Sequence, residues 1–260
     1  MMLSFLAAWG LAAVAFALVW AVSMKIRNYG FLDVIWSYAV ALIAPIYALL
    51  GPGDFTRKLL YCGLGTLWSL RLGSYIFLRV LRHHPKEDIR YETLRQRWPS
   101  PGMFLAFFQL QALIAVIFSG PFLLASWNTA GPFTLVEFAG LAVAVISIGG
   151  ESLADRQMAR FKSEPGSHGK VCESGLWRYS RHPNYFFEFL FWVGIFVASV
   201  NTPRGWITII CPLLMYHFLT KVTGIPLTEE YALKSKGGEY QRYQQTTSAF
   251  VPWFRRNPQT

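Results

Sequence analysis

Charged residues are scarce in this chain. They make up 15% of its 260 residues, where a soluble domain carries about 25%. The shortfall, together with 53% hydrophobic residues, points to lipid as the main solvent. Cysteine is scarcer still. Cys62, Cys172 and Cys211 lie far apart and form no Cys-x-x-Cys or His–Cys spacing. That pattern argues against a disulfide framework or a zinc site, and no metal is expected. Internal repeats and low-complexity linkers are also missing, so a single domain over residues 1–260 is expected. Acidic residues are few beside 24 Lys and Arg, and the formal net charge is +10. Such an excess can serve nucleic acid, a membrane surface or phosphate-bearing ligands, and its position decides among them.

The apolar residues are gathered in runs. A membrane helix needs roughly 20 of them in succession. Seven spans are expected, at about 2–23, 31–50, 59–80, 104–126, 134–154, 186–201 and 205–224. The first lacks a basic start and an Ala-x-Ala cleavage site, which makes it a retained helix rather than a signal peptide. The sixth is short for a full crossing, so six spans is the alternative. If the spans alternate, one side receives only Arg57, Lys58 and Arg204. The other receives Lys25, Arg27, the basic residues of 79–97 and 156–181, and the tail from Lys221. Basic loops stay in the cytosol, so the N-terminus lies outside and the C-terminus inside. The fold class is an all-α, multi-pass integral membrane protein. This topogenic placement absorbs most of the charge, and nucleic acid is not the expected partner.

Chemistry-bearing residues concentrate in the cytosolic loops. From Gly175 to Glu188 the chain reads Gly-Leu-Trp-Arg-Tyr-Ser-Arg-His-Pro-Asn-Tyr-Phe-Phe-Glu. Pro183 suits the first turn of a helix, which clusters Arg181, His182, Asn184, Tyr185 and Glu188 at its N-terminus. Donors there suit phosphate, and a carboxylate suits a ribose hydroxyl or an amide. Asn184 and Glu188 share one helix face. An acid in an apolar run is a functional candidate, although an interfacial belt would also place polar groups here. Upstream, Glu151 and Asp155 share a face near the end of span five. They precede Gln157, Arg160, Lys162, a Glu-Pro-Gly turn and Lys170. These residues suit a sugar and its phosphates, or simple snorkelling at the interface. The tail, with Tyr240 and Tyr243 and then Phe250 and Trp253, reads as a short interfacial helix closed by an aromatic anchor. In the other half, Asp33 opens span two, and Arg71 and Tyr75 lie in span three. Asp33 and Arg71 form either a structural ion pair or the polar end of an apolar cavity.

Asp155, Lys162 before Pro-Gly, Lys170, Gly-Leu-x-x-Tyr, Asn184 and Glu188 together resemble the cofactor region of the steroid 5α-reductase family, in particular its short bacterial homologues. The resemblance covers nearly the whole chain and is strongest from Asp155 to Trp253. It implies NADPH held in 131–260 by Asp155, Lys162, Lys170, Asn184 and Glu188. Arg178, Arg181, His182, Tyr185, Tyr240, Tyr243 and Arg90 would assist. It also implies a lipophilic substrate, a 3-oxo-Δ4 steroid or similar enone lipid, in a cavity of residues 1–130. The family uses a carboxylic acid and a tyrosine on the enone carbonyl, for which Asp33 and Tyr75 are the candidates. A buried Asp33 would stay protonated as a donor. The expected enzyme is an NADPH-dependent reductase of the bacterial inner membrane, facing the cytosol. The fragment Arg181-His182-Pro183-x-Tyr185 is also similar to isoprenylcysteine and phospholipid methyltransferases. An S-adenosylmethionine-dependent lipid methyltransferase is therefore the alternative, ahead of a non-catalytic transporter.

Overall fold

A computed structural model describes residues 1–98 and 100–256. Among these residues the regular structure is helical, apart from one isolated parallel bridge between Ser180 and Ser248. The helices gather into two compact units, Met1–Phe133 with Thr202–Gly205, and Thr134–Asn201 with the chain from Trp206 onward.

The first unit contains α1 (Met2–Ile26), α2 (Phe31–Leu50), α3 (Phe55–His83), α4 (Ile89–Arg97) and α5 (Pro101–Trp127). Asp54 starts α3 by accepting from the Arg57 amide at 2.8 Å, and Asp88 starts α4 by accepting from the Arg90 amide at 3.0 Å. Such caps satisfy amides that have no intrahelical partner. The core is built from Ala8, Ala12 and Phe16 of α1, Val40, Ile43 and Tyr47 of α2, Tyr61 and Trp68 of α3, and Phe104 to Phe122 of α5. Outside it, α1 presents Leu3, Val14 and Leu18 to the surroundings. A continuous apolar exterior of this kind requires lipid.

The second unit contains α6 (Leu135–Ser163), a 3₁₀ turn (Gly175–Arg178), α7 (Pro183–Ser199), α8 (Ile210–His217), α9 (Ile225–Lys236) and α10 (Gly238–Thr246). Thr134 and Glu137 form a reciprocal capping box at the start of α6. Helices α6 and α7 pack antiparallel with their backbones in contact. A Cβ added to Gly140 would lie 2.2 Å from the Ala198 nitrogen, and one on Gly194 would lie 2.7 Å from the Ala144 nitrogen. Small residues at such crossings are the usual means of close packing in lipid, where no hydrophobic force drives helices together.

Five of the described helical stretches are long and apolar enough to cross a bilayer: Met2–Ile26, Phe31–Leu50, Pro101–Trp127, Leu135–Ser163 and Gly205–Lys236. The chain is a multi-pass membrane protein. Of the seven expected spans, the third lies in α3, whose 29 residues include Arg57, Lys58, Arg71, Arg79 and Arg82. The sixth lies in α7, which is apolar but 17 residues long. These two account for the difference between seven and five.

Candidate functional site

In the second unit, the residues that carry the cofactor expectation separate into two groups. The first lies between α6 and α7. The buried face of α6 runs Glu137, Gly140, Leu141, Ala144, Ser147, Glu151, Ala154 and Asp155, at helical spacing. The Gly140–Gly194 contact at one end and the packing of Gly150 on the Phe187 ring at the other set the register. That register brings Glu151 level with Glu188 and Asp155 level with Asn184. All three acids are buried, at 4%, 6% and 6% exposure for Glu151, Asp155 and Glu188. Trp192 donates its indole N–H to Glu188 Oε1 at 3.1 Å. The Asn184 Oδ1 atom is buried and accepts no hydrogen bond from any described residue. A buried acceptor left unmatched is costly and rare in a folded protein.

The second group faces inward. Arg181 donates Nε to Glu229 Oε1 at 2.7 Å, and Nη1 to the carbonyls of Gln244 and Thr247 at 2.9 and 2.5 Å. His182 Nε2 meets the same Glu229 oxygen at 3.2 Å, and Gln244 donates to Oε2 at 2.8 Å. Burial lowers the His182 pKa, against the pull of Glu229. The ring is therefore neutral at pH 7, with its proton on Nε2. Tyr243 donates to the carbonyls of Trp177 and Ser180, and Tyr240 is buried beside it. Tyr185 stacks on His182 with ring centroids 5.3 Å apart and shares a hydrogen bond with Thr228 at 3.2 Å. Arg181, His182, Tyr240 and Tyr243, expected at a cofactor, thus spend their polar groups fastening the 177–182 loop to the tail.

Further bonds complete that fastening. The Arg181 amide donates to the Ser248 carbonyl at 2.8 Å, the Ser180 hydroxyl to Phe250 at 2.8 Å, and the Trp253 amide to Tyr179 at 2.9 Å. Phe250, expected at the bilayer interface, packs on Phe186, Phe189 and Tyr216, while Trp253 is exposed. Lys162, Lys170 and Arg178 are exposed.

Glu229 stood out in the sequence only by its place in Leu-Thr-Glu-Glu-Tyr. Gln157, expected beside a sugar and its phosphates, accepts at Oε1 from the Leu176 amide at 2.9 Å. Gly175 stands over that amide with φ of +59°, and a Cβ there would lie 2.4 Å from Gln157. Gly175→Ala is expected to lower the melting temperature in detergent, through about 1–3 kcal/mol of strain. An unchanged melting temperature would mean that the turn relaxes freely.

In the first unit Asp33 gathers donors. Arg90 Nη2 reaches Oδ2 at 2.6 Å, Arg79 lies 3.9 Å from the same oxygen, and the Tyr91 hydroxyl donates to Oδ1 at 2.7 Å. Asp33 is therefore paired with Arg90 and Arg79 rather than Arg71. Both of its oxygens accept hydrogen bonds here, where the sequence reading expected a donor. The tyrosine that hydrogen-bonds Asp33 is Tyr91, not Tyr75. Arg90, expected at the cofactor, is bound to Asp33 and also to Asp88 at 2.9 and 3.0 Å. The charge of Asp33 raises the Arg90 pKa, and burial raises that of Tyr91, so both keep their protons. A second pair, Arg95 on Glu87 at 2.8 Å, fixes the other end of α4, with Arg95 over the Tyr29 ring at 4.6 Å.

Among the described residues, no group of three or more His, Cys, Asp or Glu is placed to hold a metal ion. The chain is 24% identical over 268 residues to an uncharacterized protein of Schizosaccharomyces pombe, with 90% of this chain and 75% of that protein covered. No solved structure matches. The match to one family runs from residue 19 to residue 247, and the chain belongs to that family, described as "Protein of unknown function (DUF1295)".

Proposed function

We propose that this protein is an NADPH-dependent reductase of a lipophilic enone, such as the C4=C5 double bond of a 3-oxo-Δ4 steroid. The observation that carries the reading is the α6–α7 end. There the buried Asn184 Oδ1 accepts no hydrogen bond from any described residue, beside Asp155 and Glu188. An acceptor and carboxylates in that setting suit the amide and hydroxyl donors of a nicotinamide ribonucleoside. The resemblance of this region to steroid 5α-reductases gives the same assignment. NADPH, when bound, supplies hydride. In this reading Asp155, Asn184 and Glu188 orient its nicotinamide half, and Lys162 and Lys170 meet its phosphates.

The proton-donor role falls to Tyr91, whose hydroxyl rests on Asp33 Oδ1 and turns to the enone carbonyl when substrate is bound, in place of the Asp33–Tyr75 pair expected from sequence. Burial keeps the Tyr91 hydroxyl protonated and thus a donor. A donor held near a carbonyl oxygen stabilises the enolate that forms as hydride adds. The same reading has α3 and α7 cross the bilayer as well. That arrangement gives seven spans, an outside N-terminus and a cytosolic nucleotide site in a bacterial inner membrane.

The test is nucleotide binding by the purified protein, with mass spectrometry of whatever nucleotide co-purifies. NADPH is expected to bind more tightly than NADH. Asn184→Ala and Glu188→Ala are each expected to weaken it about tenfold or more, since a lost hydrogen bond to a bound group costs about 1–3 kcal/mol. The folded fraction should stay unchanged. Co-purified S-adenosylmethionine, or normal affinity in both variants, would overturn the reading.

A further inference from the structure

The second unit holds three lysines that form no ion pair among the described residues. Lys162 ends α6, Lys170 follows the Pro-Gly turn, and Lys236 ends α9. Among the described residues none of their ammonium groups has an ion pair or a hydrogen bond. Neighbouring cations differ: Lys234 is paired with Glu230 at 2.6 Å, and Arg242 with Glu173 at 2.9 Å.

The fold ties the segment that carries Lys170 to the end of α9, where Lys236 lies. Val171, next to Lys170, packs with Ala232, Tyr240 and Tyr243. Its amide donates to Glu239 Oε1 at 2.8 Å, three residues beyond Lys236. Lys170 is thereby tied to the junction of α9 and α10. Lys236 is partly buried and lies within Coulombic reach of Lys162, whose charge opposes its own. Glu239, which accepts the Val171 amide, attracts Lys236 and offsets part of that opposition. Like charges at close range destabilise a fold unless something offsets them. A dianion would do so for all three lysines together.

We propose that Lys236 joins Lys162 and Lys170 to bind a phosphomonoester dianion, and that it sets the preference for a 2′-phosphorylated nucleotide. The proposal rests on the nucleotide reading above and extends it to a residue that neither spacing nor resemblance singled out. The charge on Lys236 discriminates between NADPH and NADH because the two nucleotides differ only by that phosphate.

The experiment compares dissociation constants for NADPH and NADH in the parent protein, in Lys236→Gln and in Lys234→Gln. Lys236→Gln is expected to weaken NADPH about tenfold, the size of one charged hydrogen bond. NADH should be unaffected, so the preference falls by the same factor. Lys234→Gln, two residues away and already paired in the parent, should leave both values alone. The ligand-free Lys236→Gln protein should also melt at a higher temperature, because repulsion is relieved. If the parent prefers NADPH and Lys236→Gln keeps the preference, the assignment of Lys236 is wrong while the nucleotide reading stands. If the parent binds neither nucleotide, the nucleotide reading itself fails.

Discussion

Arg181→Ala is expected to be the most destabilising single change in the second unit, costing about 3–5 kcal/mol. The side chain is 10% exposed and its partner Glu229 is 14% exposed, so neither charge is well served by water. Removing the guanidinium leaves Glu229 with His182 and Gln244 alone, and leaves the Gln244 and Thr247 carbonyls without their donor. Glu229→Gln should cost less, since its amide oxygen still accepts from Arg181. Limited proteolysis should show the difference as early cleavage between α9 and Trp253 in the alanine variant. Acid should act in the same direction. The His182 pKa is lowered in the folded protein by burial, so the unfolded chain takes up its proton first. The stabilisation is present above the unfolded value of about 6.5 and is lost as the pH falls below it. The parent melting temperature should therefore drop from pH 7 to pH 5, and His182→Gln should flatten that slope. A parent melting temperature constant over the range would show that His182 titrates normally.

The second large effect is expected from Tyr91→Phe, which removes one hydroxyl and little volume. Loss of one preorganised donor to an oxyanion typically lowers the rate about 10²–10³-fold. The same hydroxyl donates to Asp33 at 2.7 Å, so some stability will go with it. The informative result is a split: NADPH affinity at the parent level, a melting temperature lowered by a few degrees, and reduction of a 3-oxo-Δ4 steroid slowed by two orders of magnitude. Asp33→Asn is the harsher change, because Arg90 loses the nearer of its two charge partners, at 2.6 Å, and keeps only Asp88. Tyr75→Phe, on an exposed stretch of α3, should leave turnover unchanged. If Tyr91→Phe reduces the steroid at the parent rate, Tyr91 is a tie between α2 and α4, not a donor.

The two halves of the chain were legible to different degrees. Helix α2 begins and ends where its apolar run does, because hydrophobicity alone sets the length of a helix in lipid. The α6–α7 end was also readable, since Glu151, Asp155, Asn184 and Glu188 are polar groups in apolar runs at helical spacing. What the sequence concealed was pairing. Asp33 and Arg71 lie on neighbouring helices, and buried charges seek partners. However, the arginine that reaches Asp33 comes from α4, a short polar helix that no hydropathy pattern announces. Arg181 and His182 were misleading for a related reason. Basic groups beside a helix N-terminus read as a phosphate site until Glu229, forty-eight residues away, is brought onto them. Such long-range polar contacts leave no periodic trace.

The fastening of the 177–182 loop has a consequence for how the chain is made. Ser180 is tied to Phe250, 70 residues later in the sequence. At roughly 5–20 residues per second of synthesis, that separation amounts to about 4–14 s. Once α7 is complete at Ser199, α6 and α7 can already lie against each other through Gly140 and Gly194, while the loop that leads into α7 still lacks its partners. Maturation of the α7 end is therefore a late event, completed only when the tail reaches the loop.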